Sequence, residues 1–519
     1  MKHKERVRPG EPVRECAVVA MGKHSDMSVA PSRPGPTGPA AQQPDLPDPD
    51  RWKALSVCLV AGFMTLLDIS IVNVALPSIQ TGLGAGENAL SWIVSGYALA
   101  FGLLLVPAGR LGDARGRRPA FEVGLALFTL ASIACGFAPT AALLVVARLV
   151  QGFAGGVLTP QVSGLIQQMF QGAERGKAFG LFGATIGVST AIGPLLGGTI
   201  ISVFGAHTGW RYVFFVNAPI GVLALLLAHR VIPHTPRTGP RKSSDLDPVG
   251  VLLLAAAVTC VLLPLIEQRT WHSGARLLLF PAAAVLLAAF LGWEVRHGRR
   301  GGEPVVDLTL FERRSYTLGA GVGLLYFAGF TGVFFIYTQY LQDGLHYTAL
   351  LAGAAITPFA VGSAFAAGLG GRIVTRYGRP LVAIGLLLVV VGLLGTYVAA
   401  ALVPGRGIGW AALAPLLVAG IGSGLVITPN VTITLSEVPV RRAGTAGGVL
   451  QTGQRIGGAA GIAATGSVFY GSLTGRQPDF GLAFRHGTLV IVGLVALALL
   501  LALLDVVTGR KPSQGRPAA

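Results

Sequence analysis

The sequence predicts an all-α membrane protein of fourteen transmembrane helices, ordered six, two and six in two pseudo-symmetric bundles, with both chain ends in the cytoplasm. Three observations carry this expectation. Charged residues make up only 12% of the 519 and hydrophobic residues 52%, with a mean hydropathy of +0.65. A soluble domain averages about 25% charged residues, and half of that does not cover a water-facing surface of this size. Apolar runs of about 18–25 residues recur from Lys53 onward, and roughly 20 residues cross a bilayer as a helix. The later part of the chain also repeats motifs of the earlier part. The 73 glycines fit helices packed closely in lipid. A soluble enzyme, a nucleic-acid binder and a disordered chain are excluded. The net charge of +17 would suggest nucleic acid in a soluble protein, but here the basic residues sit between apolar runs, where they set topology.

Residues 1–50 are polar and rich in Pro and Gly, and read as a disordered cytoplasmic tail without a secretory signal; Met21 and Met27 are alternative starts to Met1. The expected spans are 55–76, 90–109, 121–138, 141–166, 178–203 and 211–231, which form an N-terminal bundle within 51–232. Spans 248–267 and 276–295 lie in a linker, 233–315. Spans 317–341, 350–370, 380–402, 409–430, 444–470 and 487–507 form a C-terminal bundle within 316–508, and 509–519 is a second cytoplasmic tail. The runs are continuous rather than alternating, which argues against strands. Alternate linkers are basic, with Arg110, Arg115, Arg117 and Arg118, then Arg175 and Lys177, Arg237 and Arg241, Arg299 and Arg300, Arg372 and Arg376, Arg441 and Arg442. The intervening ones hold only Arg211, Arg269, Arg276, Arg406, Arg476 and Arg485. This alternation places the basic side, and both ends, inside. The repeat appears as Gly109–Pro119 against Gly371–Pro380 and Gly155–Gln161 against Gly424–Asn430, with two helices of extra length between the copies. Paired six-helix repeats place a substrate site between the halves near the midplane.

Asp68 lies about fourteen residues into the first span. A charge there must face a cavity or a partner, and it reads as a proton carrier, an anchor for a cationic substrate, or both; the alternative is a carboxyl that only bonds a neighbouring helix. Glu122, Glu294 and Asp505 lie near span ends, and Glu267 at an outer end, where water is expected to reach them. Asn73 points away from Asp68 and is expected to bond a neighbouring helix. Arg148 begins RLVQGFAGG, with Gln151 on the same helix face. Arg148 either tunes Asp68 or snorkels to the headgroups. Arg455, about eleven residues into the thirteenth span, either contacts substrate or bonds between helices. In the turn Gly109–Pro119, Gly109 and Gly112 permit close approach, and Asp113 either pairs with arginines such as Arg117 or caps a helix end, forming a conformational latch. Gly183/Gly187, Gly193/Gly197, Gly444/Gly448 and Gly453/Gly457 make smooth faces in equivalent helices of the two halves, and Pro194 allows a bend. Of Tyr326, Phe327, Phe330, Phe334, Phe335 and Tyr337, a subset could contact an aromatic or cationic drug.

The four cysteines, Cys16, Cys58, Cys135 and Cys260, have no metal-ligand or redox spacing. No phosphate loop or HExxH occurs, so neither a catalytic residue, a metal nor a cofactor is expected, and ATP is not the driving force.

The chain resembles the major facilitator superfamily, and within it the fourteen-helix drug:proton antiporters of the EmrB/QacA type. The resemblance rests on Leu67–Pro77, Gly109–Pro119, Arg148–Gly152, Gly193–Gly198 and Trp210–Gly221, five motifs in the family's order. Ser70 stands where Thr is more common, and the loop after Gly371 lacks an acid at the position matching Asp113. The resemblance implies a plasma-membrane multidrug exporter that exchanges hydrophobic, often cationic, compounds for protons. It carries over Asp68 and Arg148 for proton coupling, Gly109, Gly112, Asp113 and Arg117 for the latch, and Gly193, Pro194, Gly197 and Gly198 for the antiporter helix. Asp68, Gln151 and Arg455 are the candidate substrate contacts. The alternatives are an exporter dedicated to one natural product and a non-transporting membrane sensor or scaffold.

Overall fold

The computed structural model describes residues 50–205, 207–233, 247–266, 274–302, 304–403, 405–473 and 479–509. The expected tails, Cys16, Glu267, Arg237, Arg241, Arg269 and Arg476 lie outside them. The helices are α1 (Arg51–Leu83), α2 (Glu87–Arg115), α3 (Arg117–Phe137), α4 (Ala141–Met169), α5 (Gly172–Phe204), α6 (Gly209–Phe215), α7 (Asn217–Val231), α8 (Pro248–Ile266), α9 (Leu279–Arg299), α10 (Arg314–Gln339), α11 (Ala349–Tyr377), α12 (Arg379–Leu402), α13 (Ile408–Ala411), α14 (Leu413–Thr434), α15 (Ala443–Gly471) and α16 (Phe480–Gly509). No strand occurs among the described residues.

Thirteen helical stretches among the described residues are long and apolar enough to cross a membrane. They match the expected spans except for α15. That helix has 29 residues but draws its length from Gly, Ala, Thr and Gln, so it falls short in hydropathy. Its glycines Gly444, Gly448, Gly457 and Gly461 face neighbouring backbones instead of lipid. The expected span 211–231 is one stretch broken at Val216 into α6 and α7. Pro219 has no N–H to bond back to Phe215, and the helix restarts at Asn217.

Helices α1–α7 form one half and α10–α16 the other, while α8 and α9 pair with each other against α2 and α15. The halves meet along two seams, α2 with α15 and α5 with α11. Both are built on glycine. A Cβ on Gly109 would strike the Gly444 backbone, and one on Gly448 the Leu105 carbonyl. Gly176 and Gly371 stand in the same mutual relation on the other seam, and Gly187 lies against Ala360 and Ala364. Gly183 likewise faces the other half, against Thr428 of α14 and Ala367 of α11, whereas Gly193 and Gly197 pack on Ser70 and Ile71 of α1, Gly457 on Leu324 and Gly461 on Ala328 of α10. Gly453 touches nothing within 4 Å. Equivalent helices thus use one glycine set across the seam and one within their own half.

Both ends of the described bundle emerge at the same face. Arg51 at the start of α1 pairs with Glu174 at the start of α5 at 3.0 Å, and Asp505 near the end of α16 pairs with Arg379 of α12 at 2.8 Å and Arg314 of α10 at 3.3 Å. The expectation that Glu294 and Asp505 meet water is corrected: they are 2% and 6% exposed. Arg379 and Arg314 cover Asp505, and the chain after α9 covers Glu294, with Val306 donating to its Oε2 at 3.4 Å. Glu122 stays partly open and pairs with Arg118 at 2.8 Å.

Replacing Gly448 by Leu inserts a side chain into the α2–α15 seam and is expected to destabilise the protein by about 1–3 kcal/mol. Gly453→Leu, at a position with free space, leaves stability near wild type. Thermal unfolding in detergent separates the two.

Candidate functional site

Asp68 is fully buried in α1, and every side chain that bonds it comes from the N-terminal half. Arg148 Nη1 pairs with Asp68 Oδ2 at 2.5 Å. Gln151 Nε2 donates to Oδ1 at 2.8 Å and Asn217 Nδ2 to the same oxygen at 3.1 Å. Arg148 and Gln151, three residues apart on α4, share a face as their spacing requires, and Arg148 Nη1 also donates to Gln151 Oε1 at 2.9 Å. Arg148 Nε donates to the Ile93 carbonyl at 2.9 Å, and its guanidinium lies 4.1 Å from the Tyr97 ring centre. Such stacking favours a cation in a dry site. The network continues outward, because Asn217 Nδ2 donates to Ser132 Oγ at 3.0 Å and Ser132 Oγ to the Phe214 carbonyl at 3.0 Å. Arg148 therefore reaches Asp68 and not the headgroups.

Asn217 was not singled out from the sequence. It stands in the sixth-span motif, and the proline two positions later was the available signal, since it restarts the helix there and turns the amide toward Asp68. The expectation for Asn73 is corrected: it is exposed and makes no hydrogen bond among the described residues. Five residues on from Asp68, it points away from the network. Cys58 and Cys135 are buried, and Cys135 Sγ donates to Gln151 Oε1 at 3.5 Å.

Arg455 does not join this network. It is half-buried on α15, with its guanidinium 4.4 Å from the ring centre of Phe101 on α2. Of the sequence-predicted site residues, the structure thus brings Asp68, Arg148 and Gln151 together and leaves Arg455 on the facing half. A narrow crevice, too tight to admit a water molecule, lies between the halves, lined by Ile186, Gly187 and Thr190 of α5, Phe330 and Phe334 of α10, and Phe359, Ala360 and Ser363 of α11. Among the aromatic residues of α10, Phe330 and Phe334 face it, whereas Tyr326 is buried and donates to Ser423 Oγ at 2.6 Å.

The second constellation closes one end of the α2–α15 seam. Asp113 accepts from the backbone N–H groups of Gly444 at 3.0 Å and Thr445 at 2.8 Å, and from Thr445 Oγ1 at 2.9 Å. These N–H groups open α15, where the helix dipole favours a carboxylate. Arg117 holds Asp113 from behind at 2.9 Å and donates to the Gly164 carbonyl at 2.7 Å and to the Val440 carbonyl. Gly109 supplies the close approach, and Gly112 makes room for Gln161, whose Nε2 donates to the Ala108 carbonyl at 2.8 Å. Arg442, just before α15, pairs with Asp307 after α9, which ties the inserted hairpin to the same point. Among the described residues the other seam has no such carboxylate. Arg379, the counterpart of Arg117, turns to Asp505 and to Ser315 of its own half. In the fifth-span motif Pro194 lies against Gly353 of α11, and a Cβ on Gly198 would meet nothing within 4 Å.

Removing one partner of a buried ion pair strands the other, at about 3–5 kcal/mol. Asp68→Asn is therefore expected to lower the melting temperature in detergent, and adding Arg148→Met to restore most of it. Asp113→Asn should raise maleimide labelling of a cysteine at Ser163 several-fold in a background without the native cysteines. Ser163 is buried under Gln451 of α15 while the seam is closed.

The profile of the Major Facilitator Superfamily matches residues 58–462. The chain is 37% identical to the probable actinorhodin transporter of Streptomyces coelicolor, over 85% of this chain and 76% of that protein. It is 35% identical to the multidrug resistance protein Stp of Mycobacterium tuberculosis, over 78% and 73%. Its fold superposes on the proton:xylose symporter XylE with a TM-score of 0.61, at 17% identity, covering 88% of this chain and 96% of that one. With its fold, its buried ion-pair network and these matches together, the chain belongs to the Major Facilitator Superfamily and is a multi-pass plasma-membrane transporter, not an enzyme.

Proposed function

We propose that the protein exports small molecules of antibiotic or drug type and exchanges them for protons by alternating access. The relatives named for an antibiotic transporter and for multidrug resistance support the cargo class. The observation that carries the coupling is the buried Asp68–Arg148 pair. A carboxylate with both oxygens bonded and no exposed surface is poorly placed to hold a cationic substrate directly, which leaves the proton as its ligand. Protonation cancels the charge that holds Arg148 and weakens the ties that bind α1 to α4 and α7. Arg148 and Gln151 then take part as the groups released, and the smooth Gly193–Gly198 face of α5 lets α1 move past it.

The basic loops support an orientation with the Asp113 end of the molecule in the cytoplasm. In this orientation the latch of Gly109, Gly112, Asp113 and Arg117 closes the inner end of the α2–α15 seam. Protons then reach Asp68 from outside, the latch opens, and the proton leaves inward as cargo loads.

The test is proton release on substrate addition to proteoliposomes, across a panel of dissimilar dyes and antibiotics. Wild type is expected to couple cargo to protons, and Asp68→Asn to remain in the membrane while losing coupled efflux by at least ten-fold. Full activity in that variant overturns the assignment of Asp68. Efflux of many unrelated compounds identifies a multidrug exporter, efflux of one a dedicated exporter, and efflux of none a non-transporting membrane protein.

A further inference from the structure

Resting on the export reading, we propose that the cargo carries an acidic group, a carboxylate or phenolate, on an aromatic body, and that Arg455 binds that group. Arg455 stands near the middle of α15, thirteen residues into the helix. A guanidinium at that depth requires an anion or water. Among the described residues it has neither an ion pair nor a hydrogen bond, only the face of Phe101 at 4.4 Å. Asp68 does not serve it, because both its oxygens are taken by Arg148, Gln151 and Asn217. The nearby Asp68–Arg148 pair cancels to zero, which leaves Arg455 as an uncompensated positive charge.

Two further observations place that charge in a site. Tyr97, one helical turn from Phe101 on the same face of α2, is buried with a hydroxyl that has no hydrogen-bond partner among the described residues. It supplies a second donor on that face. The internal repeat points to the same place. Gly176 and Gly444 match in sequence and in their seam contacts, and the same offset pairs Arg455 with Gly187. Gly187 keeps α5 in contact with α11 and lines the aromatic cleft. At the matching point α15 bears a long cation in place of the glycine, and its guanidinium reaches across the seam to Phe101 of α2.

The aromatic residues lie at the same depth. Thr331 Oγ1 donates to the Gly458 carbonyl at 3.0 Å, so Phe330 sits within about 5 Å of Arg455 along the helix axes, at 1.5 Å per residue. Parting of the halves at this crevice would offer Phe330, Phe334 and Phe359 to a flat apolar body, and the fork of Arg455 suits a carboxylate. Sending an anion out and a proton in moves two charges in the same electrical sense, so the membrane potential would drive export together with the proton gradient.

The test uses the purified full-length protein in detergent and three matched probes: anthracene-9-carboxylate, its neutral carboxamide, and 9-(aminomethyl)anthracene as the ammonium. Binding is read from tryptophan fluorescence. The carboxylate is expected to bind at least ten-fold tighter than either other probe, Arg455→Gln to bring all three within three-fold, and Arg455→Lys to keep part of the preference. Equal or tighter binding of the amide or ammonium to wild type, an unchanged preference in Arg455→Gln, or no carboxylate binding at millimolar concentration each overturns the proposal. If Arg455→Gln does not fold, the wild-type ranking and Arg455→Lys still decide it. The same probes in proteoliposomes separate the two claims. Arg455-dependent binding without transport removes the export reading and keeps the subsite. Transport that ignores probe charge and the Arg455→Gln change keeps export and removes the subsite.

Discussion

A carboxylate in the middle of a lipid-spanning helix must have a partner, and in this protein the pairing of Asp68 with Arg148 organises the N-terminal half. Arg148 is fixed by the Ile93 carbonyl and the Tyr97 ring, Gln151 and Asn217 complete the carboxylate, and Ser132 anchors Asn217. Five helices are joined through one charged centre. An uncharged core would hold these helices as well or better, since buried ion pairs add little net stability over apolar packing. In the proposed exchange cycle, a single proton would change the charge balance of the whole cluster, and a packed, bistable contact would turn that change into motion.

The glycine seams explain how such motion is permitted. Close backbone contacts without long side chains allow two half-molecules to touch firmly and still roll. In the proposed cycle the charged groups at one end would decide which arrangement is held. Asp113 does this with few atoms, using the first N–H groups of α15 as its ligands, so the contact exists only while the helix start abuts α2.

Much of this was legible in the sequence. Asp68 stood out as a lone acid deep in an apolar run, Arg148 and Gln151 were linked by a three-residue spacing, and the Gly109–Pro119 turn declared itself by its glycines and single acid. These are local patterns, and local patterns survive folding. Asn217 and Tyr97 were not legible, because their roles arise where distant helices meet and their own spans look ordinary. Asn73 was misjudged since helical angle tells where a residue does not point, not what waits on the other side. The burial of Glu294 and Asp505 was hidden for a related reason: a position near a span end is wet only if no loop or arginine covers it. The span at α15 was found by its place in the repeat and not by its hydropathy, which is diluted by the glycines that serve its packing.

The two seams are not equals. Along α5 and α11, close approach recurs from Gly176 and Gly371 past Gly187 and Ala360 to Pro194 and Gly353, and among the described residues no carboxylate caps it as Asp113 caps α15. Along α2 and α15 the close backbone approach is concentrated at the Asp113 end, and beyond Gly448 a long side chain, Arg455, meets Phe101 across the seam. The first behaves as the spine of a book and the second as its clasp. Under the proposed alternating access, this arrangement would part the halves asymmetrically, leafing about one edge rather than balancing on a central fulcrum, with molecules passing α2 and α15.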